Sequence, residues 1–113
     1  MTKTSQEVIN EALRMIEVVA VDEAATADEH ARAKSHLEGI FAELDETYGL
    51  APEWTIETVP DRLFLPLSSA VAGSVCTSYG KAEYAPLRPQ GIGAIMRDEL
   101  GNAPRVATEA TYF

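Results

Sequence analysis

The feature that most constrains this chain is a local signal that occurs twice: Thr4 with Glu7, and Thr26 with Glu29. Each hydroxyl residue stands three positions before a glutamate. That is capping-box spacing, in which hydroxyl and carboxylate satisfy free backbone N–H groups at a helix start. After Thr4, the residues Val8, Ile9, Ala12, Leu13, Ile16 and Val19 recur at threes and fours, which predicts a helix over Ser5–Val19 with one buried stripe. After Thr26, the stripe is Ala33, Leu37, Ile40, Phe41, Leu44 and Tyr48, predicting a helix over Ala27–Tyr48. Gly49 follows as its cap, where a left-handed backbone costs glycine nothing. Only Ala20–Ala25 joins the two, so they are expected to form an antiparallel hairpin burying Leu13, Ile16, Leu37, Phe41 and Leu44 together.

Later signals are mixed. Leu50–Pro60 reads as a connection in which Trp54, Thr55, Ile56, Thr58 and Val59 suit an extended segment, with room for a short strand. Pro60-Asp61 looks like a helix start, because proline is accepted in the first turn. Pro66 is expected to kink or restart that helix. From Leu67 to Tyr79 a buried helix is expected, with Leu67, Ala70, Val71, Ser74, Val75 and Ser78 on one side and Gly80 ending it. Its many Ser, Ala and Gly residues allow a neighbouring helix to come close. Lys81–Leu100 reads as a weaker helix broken around Pro86, Pro89 and Gly91, with Ile92, Ile95, Met96 and Leu100 as its apolar side; Gly101 and Pro104 stop it. The stretch from Ala103 to Phe113 has no helical period. The expected fold class is all-α: a small four-helix bundle over residues 1–102 with a long helical hairpin, and an extended C-terminal arm over 103–113.

Charge narrows the function classes. The net charge is −9. Up to Asp61 there are 14 acids against 4 bases, and from Arg62 onward 4 acids against 5 bases. A grip on nucleic acid needs clustered Lys and Arg to neutralise phosphates, and this balance argues against one. An acidic surface repels DNA, which suits a channel through which DNA slides, and it also keeps a protein soluble. Cys76 is the only cysteine, so no disulfide forms within the chain and nothing indicates an oxidising compartment. Met1–Gln6 is polar, which predicts no secretory leader. The longest apolar stretch, Leu63–Thr77, is too short to span a membrane and contains Pro66.

No catalytic or metal constellation emerges. His30 and His36 are six apart on a helix, rotated by roughly 240°, and do not converge on one ion. They read as surface histidines. Glu38, Glu43, Asp45 and Glu46 read as solvated helix-surface carboxylates, and Asp98-Glu99 as a solvated pair. Ser68, Ser69 and Ser74 lack a nucleophile elbow and read as packing. Cys76, between Val75 and Thr77, reads as a buried inert thiol. Gly91-Ile92-Gly93 lacks the third glycine and preceding strand of a dinucleotide site and reads as a helix boundary. The expectation is no enzyme, no cofactor and no metal. Within the arm, Val106, Tyr112 and Phe113 are apolar residues in a segment too short to fold alone, which points to docking, either on a partner, as the terminal position favours, or on its own domain.

Taken in order, these features resemble a known family. The chain opens with the capped helix Thr4-Ser5-Gln6-Glu7-Val8-Ile9-Asn10-Glu11-Ala12-Leu13, and Ala33 to Leu44 carry the second long helix. The Pro60-Asp61 start leads into Leu67-Ser68-Ser69-Ala70-Val71-Ala72, closing at Tyr79-Gly80. This order is similar to the phage head–tail connector or adaptor family, in particular its P22-type tail accessory (packaged-DNA stabilisation) branch and the adaptors of gene transfer agents. The similarity covers most of residues 4–113. This chain departs from it after Gly80, where the family runs a continuous, often basic helix and Pro86, Pro89 and Gly91 stand here. The resemblance implies a helical bundle, a homo-oligomeric dodecameric ring beneath the portal protein, and a C-terminal segment engaging that portal. On this sequence those contacts fall to Pro104, Arg105, Val106, Tyr112 and Phe113. The implied role is structural: to extend the portal channel, receive the tail or stopper protein, and let double-stranded DNA pass without specific binding. The place is a virion or phage-like particle assembled in the host cytoplasm, with no membrane involved. The rival reading is a small acidic helical interaction or regulatory module of a bacterial cell.

Overall fold

The computed structural model describes residues 2–20, 23–50 and 52–102, the last three of these by backbone alone. Both capping boxes form. Thr4 Oγ1 accepts from Glu7 N while Glu7 Oε1 accepts from Thr4 N, and Thr26 and Glu29 do the same. They open helix α1, Ser5–Met15, and helix α2, Ala27–Glu46. A two-residue strand β1, Thr2–Lys3, precedes α1 and pairs antiparallel with β2, Val59–Pro60. Helix α3, Asp61–Val75, follows directly and passes into a 3-10 turn, Cys76–Tyr79. A second 3-10 turn, Ala82–Tyr84, leads to helix α4, Leu87–Asn102. The described residues are therefore mostly helical, as an all-α small bundle requires.

Helix α3 is the central element. It meets α1, α2, α4 and both strands. Leu63, Leu67, Ala70, Val71 and Val75 of α3 share one core with Ile9, Leu13 and Ile16 of the first segment, Leu37, Ile40 and Leu44 of α2, and Ile92 and Ile95 of α4. Pro66 lies within α3, and the helix runs through it without a restart. Ser68 Oγ donates to Phe64 O at 2.7 Å, so a serine hydroxyl adds to the backbone bonding next to the proline.

Several boundaries differ from the sequence reading. Helix α1 stops at Met15, four residues before Val19. Glu17 turns to φ 60°, and Val18 N and Val19 N both reach back to Leu13 O. This non-helical path still buries Val19, so burial of the stripe was read as helix one turn too far. Four of the five expected hairpin residues are fully buried, but Phe41 is half-buried and meets the Trp54 ring edge-on at 5.3 Å. Ser78 is exposed, on the 3-10 turn beyond the end of α3.

Helix α4 is the largest correction. It is continuous from Leu87, and Gly91-Ile92-Gly93 lies inside it rather than at a boundary. Pro86 precedes the helix, and Pro89 falls in its first turn, where backbone N–H groups have no intrahelical partner to lose. Gly101 does not stop it either; the helix reaches Asn102. Gly91 is there for packing. A methyl at Gly91 would overlap Pro66 O and the Ala70 backbone, and one at Gly73 would overlap the Arg88 backbone. The two helices meet backbone to backbone at both points.

Glycine's conformational freedom matters elsewhere, at Gly49 (φ 67°) and Gly80 (φ 71°). At Gly80 a Schellman closure forms, with Lys81 N donating to Cys76 O at 3.0 Å and Gly80 N to Thr77 O at 3.3 Å. Substituting Gly91 by Ala is expected to cost about 1–3 kcal/mol in urea melts, the range for overpacking a fitted contact. Leu37→Ala is expected to cost about 2–5 kcal/mol through the cavity it leaves.

Candidate functional site

Charged and polar side chains that look solvated in sequence are paired across elements. Arg62 Nε, near the start of α3, donates to Asp98 Oδ2 of α4 at 2.7 Å, and its Nη2 lies 3.7 Å from Glu99 Oε1. Glu99 also accepts from Trp54 Nε1 at 3.2 Å. Asp98-Glu99 is thus a clamp holding α4 to α3 and to the 50–60 connection, and not a free solvated pair. At the other end Ser5, buried at the start of α1, binds Glu57 twice: its N–H at 3.1 Å and its Oγ at 2.6 Å. These bonds hold the Glu57 carboxyl below the usual carboxylate range.

The most organised polar cluster lies where α2, α3 and α4 meet. His36 Nδ1 of α2 is 2.9 Å from Ser74 Oγ of α3, the donor set by the imidazole tautomer. Arg88 of α4 is ion-paired with Glu43 of α2. Together with Ser35, Gly39 and Ile40 these residues line a cleft of about 320 Å³ open to solvent. Burial of the His36 ring, then the Arg32 and Arg88 charges beside it, holds its pKa below the ordinary 6.5. A neutral imidazole and a guanidinium–carboxylate pair therefore face one another across the opening.

Sequence reading placed His36, Ser74 and Glu43 singly and brought none of them together. His36 was read as a surface histidine; it is half-buried and bonded. Ser74 was read as packing, and Glu43 as a solvated carboxylate. The usable signal was position. His36 stands three after Ala33 and four before Ile40, on the margin of the buried stripe. His30 is likewise partly buried. Cys76 is buried, its thiol 3.4 Å from Gly73 O, as an inert packing residue is. Ser68 and Ser69 donate to Phe64 O and Met15 Sδ.

The cleft presents a hydroxyl–imidazole contact beside an ion pair. In nucleophile–base pairs the base is commonly oriented by a third group, and Glu43, the carboxylate of the cleft, is engaged by Arg88. Among the described residues no group of three or more His, Cys, Asp or Glu is placed to hold a metal ion. Nor is any described helix long and apolar enough to cross a membrane. The arm residues Pro104, Arg105, Val106, Tyr112 and Phe113 lie outside the described residues.

Compared with known proteins, the chain matches no family model, no curated protein and no solved structure.

His36 sets a pH dependence whose sign follows from its depressed pKa. The folded protein binds fewer protons at this site than the unfolded chain, so stability rises with pH across the histidine range. The contribution is complete above 6.5 and is lost as the pH falls below it. Denaturant melts between about pH 7.5 and 5 are expected to show wild-type stability falling faster than that of His36→Gln.

Proposed function

We propose that this chain is a structural head–tail adaptor of a tailed phage or phage-like particle. It forms a homo-oligomeric ring under the portal protein, extends the DNA channel and receives the tail or stopper protein. It acts by assembly rather than catalysis.

The observation that carries this reading is the place of α3. The stretch from Pro60-Asp61 to Tyr79-Gly80 is one of the three that carry the resemblance, and it contains the helix against which every other helix packs. The order of elements supports the same reading: a capped helix, a capped longer helix, a helix rich in small residues, then α4. Asp28, Glu38, Asp45 and Glu46 are exposed on α2, and such a face turned to a channel repels the phosphates of passing DNA instead of binding them.

In this reading the segment 103–113 docks on the portal through Pro104, Arg105, Val106, Tyr112 and Phe113, with the two aromatic rings as its anchors. Ordering a segment costs about 1–2 kcal/mol per residue, and a partner surface that accepts two aromatic rings offsets that cost. Weak arms repeated around a ring hold strongly, because each bound arm raises the effective concentration of the next.

Deleting Thr111 to Phe113 is expected to leave the melting of the free protein unchanged and to abolish attachment to portal-bearing heads, read by co-sedimentation and electron microscopy. If the truncated protein unfolds readily while its folded remainder still attaches, the arm belongs to the core and the docking role is wrong.

A further inference from the structure

Helix α4 is seated on α3, and its first turn is tied sideways to α2 by the pairing of Arg88 with Glu43. His36 stands two turns before Glu43 on α2, roughly 10 Å along the helix axis. Both line the cleft together with Arg88, so a guanidinium serves the carboxylate while an imidazole looks onto the same opening. The hydrogen-bond partner of that imidazole is the Ser74 hydroxyl, 2.9 Å from Nδ1.

The charges around the ring are unequal. From α2, Arg32 stands one turn before His36 and Glu43 two turns after it; from α3 comes the uncharged Ser74, and from α4 comes Arg88. Arg32 lies outside the cleft lining, 5.7 Å from the centre of the Tyr79 ring, which belongs to the 3-10 turn after α3. Burial raises the pKa of that phenol, Arg32 opposing and Glu29 adding, so Tyr79 brings no charge at or below neutral pH. Arg32 and Arg88 both work against the protonated form of His36. Glu43 is already engaged by Arg88. A proton on His36 therefore adds a third positive charge beside one cleft carboxylate, and the Ser74 hydroxyl accepts from an imidazolium without offsetting its charge.

We propose that His36 is the trigger of an acid-sensitive latch: when its ring takes a proton, Arg88 is driven off Glu43, the first turn of α4 loses its tie to α2, and the cleft widens. The Arg88 side chain is 38% exposed, so it has solvent to swing into, and ion pairs this open are weakly held. The tie at the far end of α4, Arg62 with Asp98 and Glu99, is built without a histidine and stays closed. Backbone contacts at Gly73 and Gly91 keep α4 on α3 while the sideways tie opens, which makes the change local. The latch does not depend on the adaptor role.

The test uses the full chain between about pH 7.5 and 5.5, a window above the ordinary carboxylate range. The His36 ring is titrated by NMR, and amide hydrogen exchange is followed after correction for its intrinsic pH dependence. In wild type, exchange across residues 36–43 of α2 and 88–95 of α4 is expected to quicken several-fold with the His36 midpoint, while amides of α1 change less. His36→Gln keeps a hydrogen-bonding group beside Ser74 and takes no proton, so it is expected to remove that quickening. Arg88→Gln is expected to move the His36 midpoint up toward the ordinary 6.5, because the coupling between the two sites is reciprocal. The same pH course in His36→Gln, an unmoved midpoint in Arg88→Gln, or a quickening shared equally by every helix overturns the latch.

Discussion

The close crossing of α3 and α4 is the contact on which the rest depends. At Gly91 the backbone of α4 lies against Pro66 O and Ala70, and at Gly73 the backbone of α3 lies against Arg88. Two points of backbone contact along one helix pair fix both rotation and translation. With α4 seated, Ile92 and Ile95 enter the core, Glu99 comes within reach of Trp54 and Arg62, and Arg88 comes within reach of Glu43. A larger residue at either glycine would push α4 outward and loosen all of these together, because packed interiors accommodate little extra volume.

The second tier is a set of ties across the ends. Ser5 and Glu57 join the start of α1 to the segment before β2, and the β1–β2 pairing places Lys3 over the Phe64 ring at 5.3 Å. Asn10 Oδ1 accepts from Ala25 N, and Arg14 Nη2 donates to Glu23 O, which hold the connection between α1 and α2 against α1. Trp54 is the anchor of the 50–60 connection, buried against the core with its indole nitrogen satisfied by Glu99. Exposed ion pairs contribute little stability individually, so the weight of holding the fold falls on the shared apolar core, and the polar ties set register.

Function in this reading follows from surfaces. Exposed carboxylates along α2 and a helical body held by buried apolar contacts suit a part that assembles with partners. The helices supply the rigid body, and the cleft of His36, Ser74, Glu43 and Arg88 is the polar opening on it.

Helix starts, stripes and fold class were legible in sequence because their physics is local. Thr4 acts on Glu7 and Thr26 on Glu29 within one turn, and Leu37, Ile40 and Leu44 share a face by helical geometry alone. The glycine cap at Gly80 is local in the same sense; α2 ends at Glu46 with Thr47 as its cap, two residues short of the expected Tyr48, and Gly49 takes its left-handed backbone just beyond. Tertiary structure alone decided that Gly91 lies inside a helix, since its reason is the backbone of Pro66 and Ala70. It alone joined His36 to Ser74 and Arg88 to Glu43, partners 38 and 45 positions apart. No periodicity links residues at such separations. What brings them together is the depth at which α4 settles on α3, and that depth is set by the absence of two side chains whose neighbours are known only once the chain has folded.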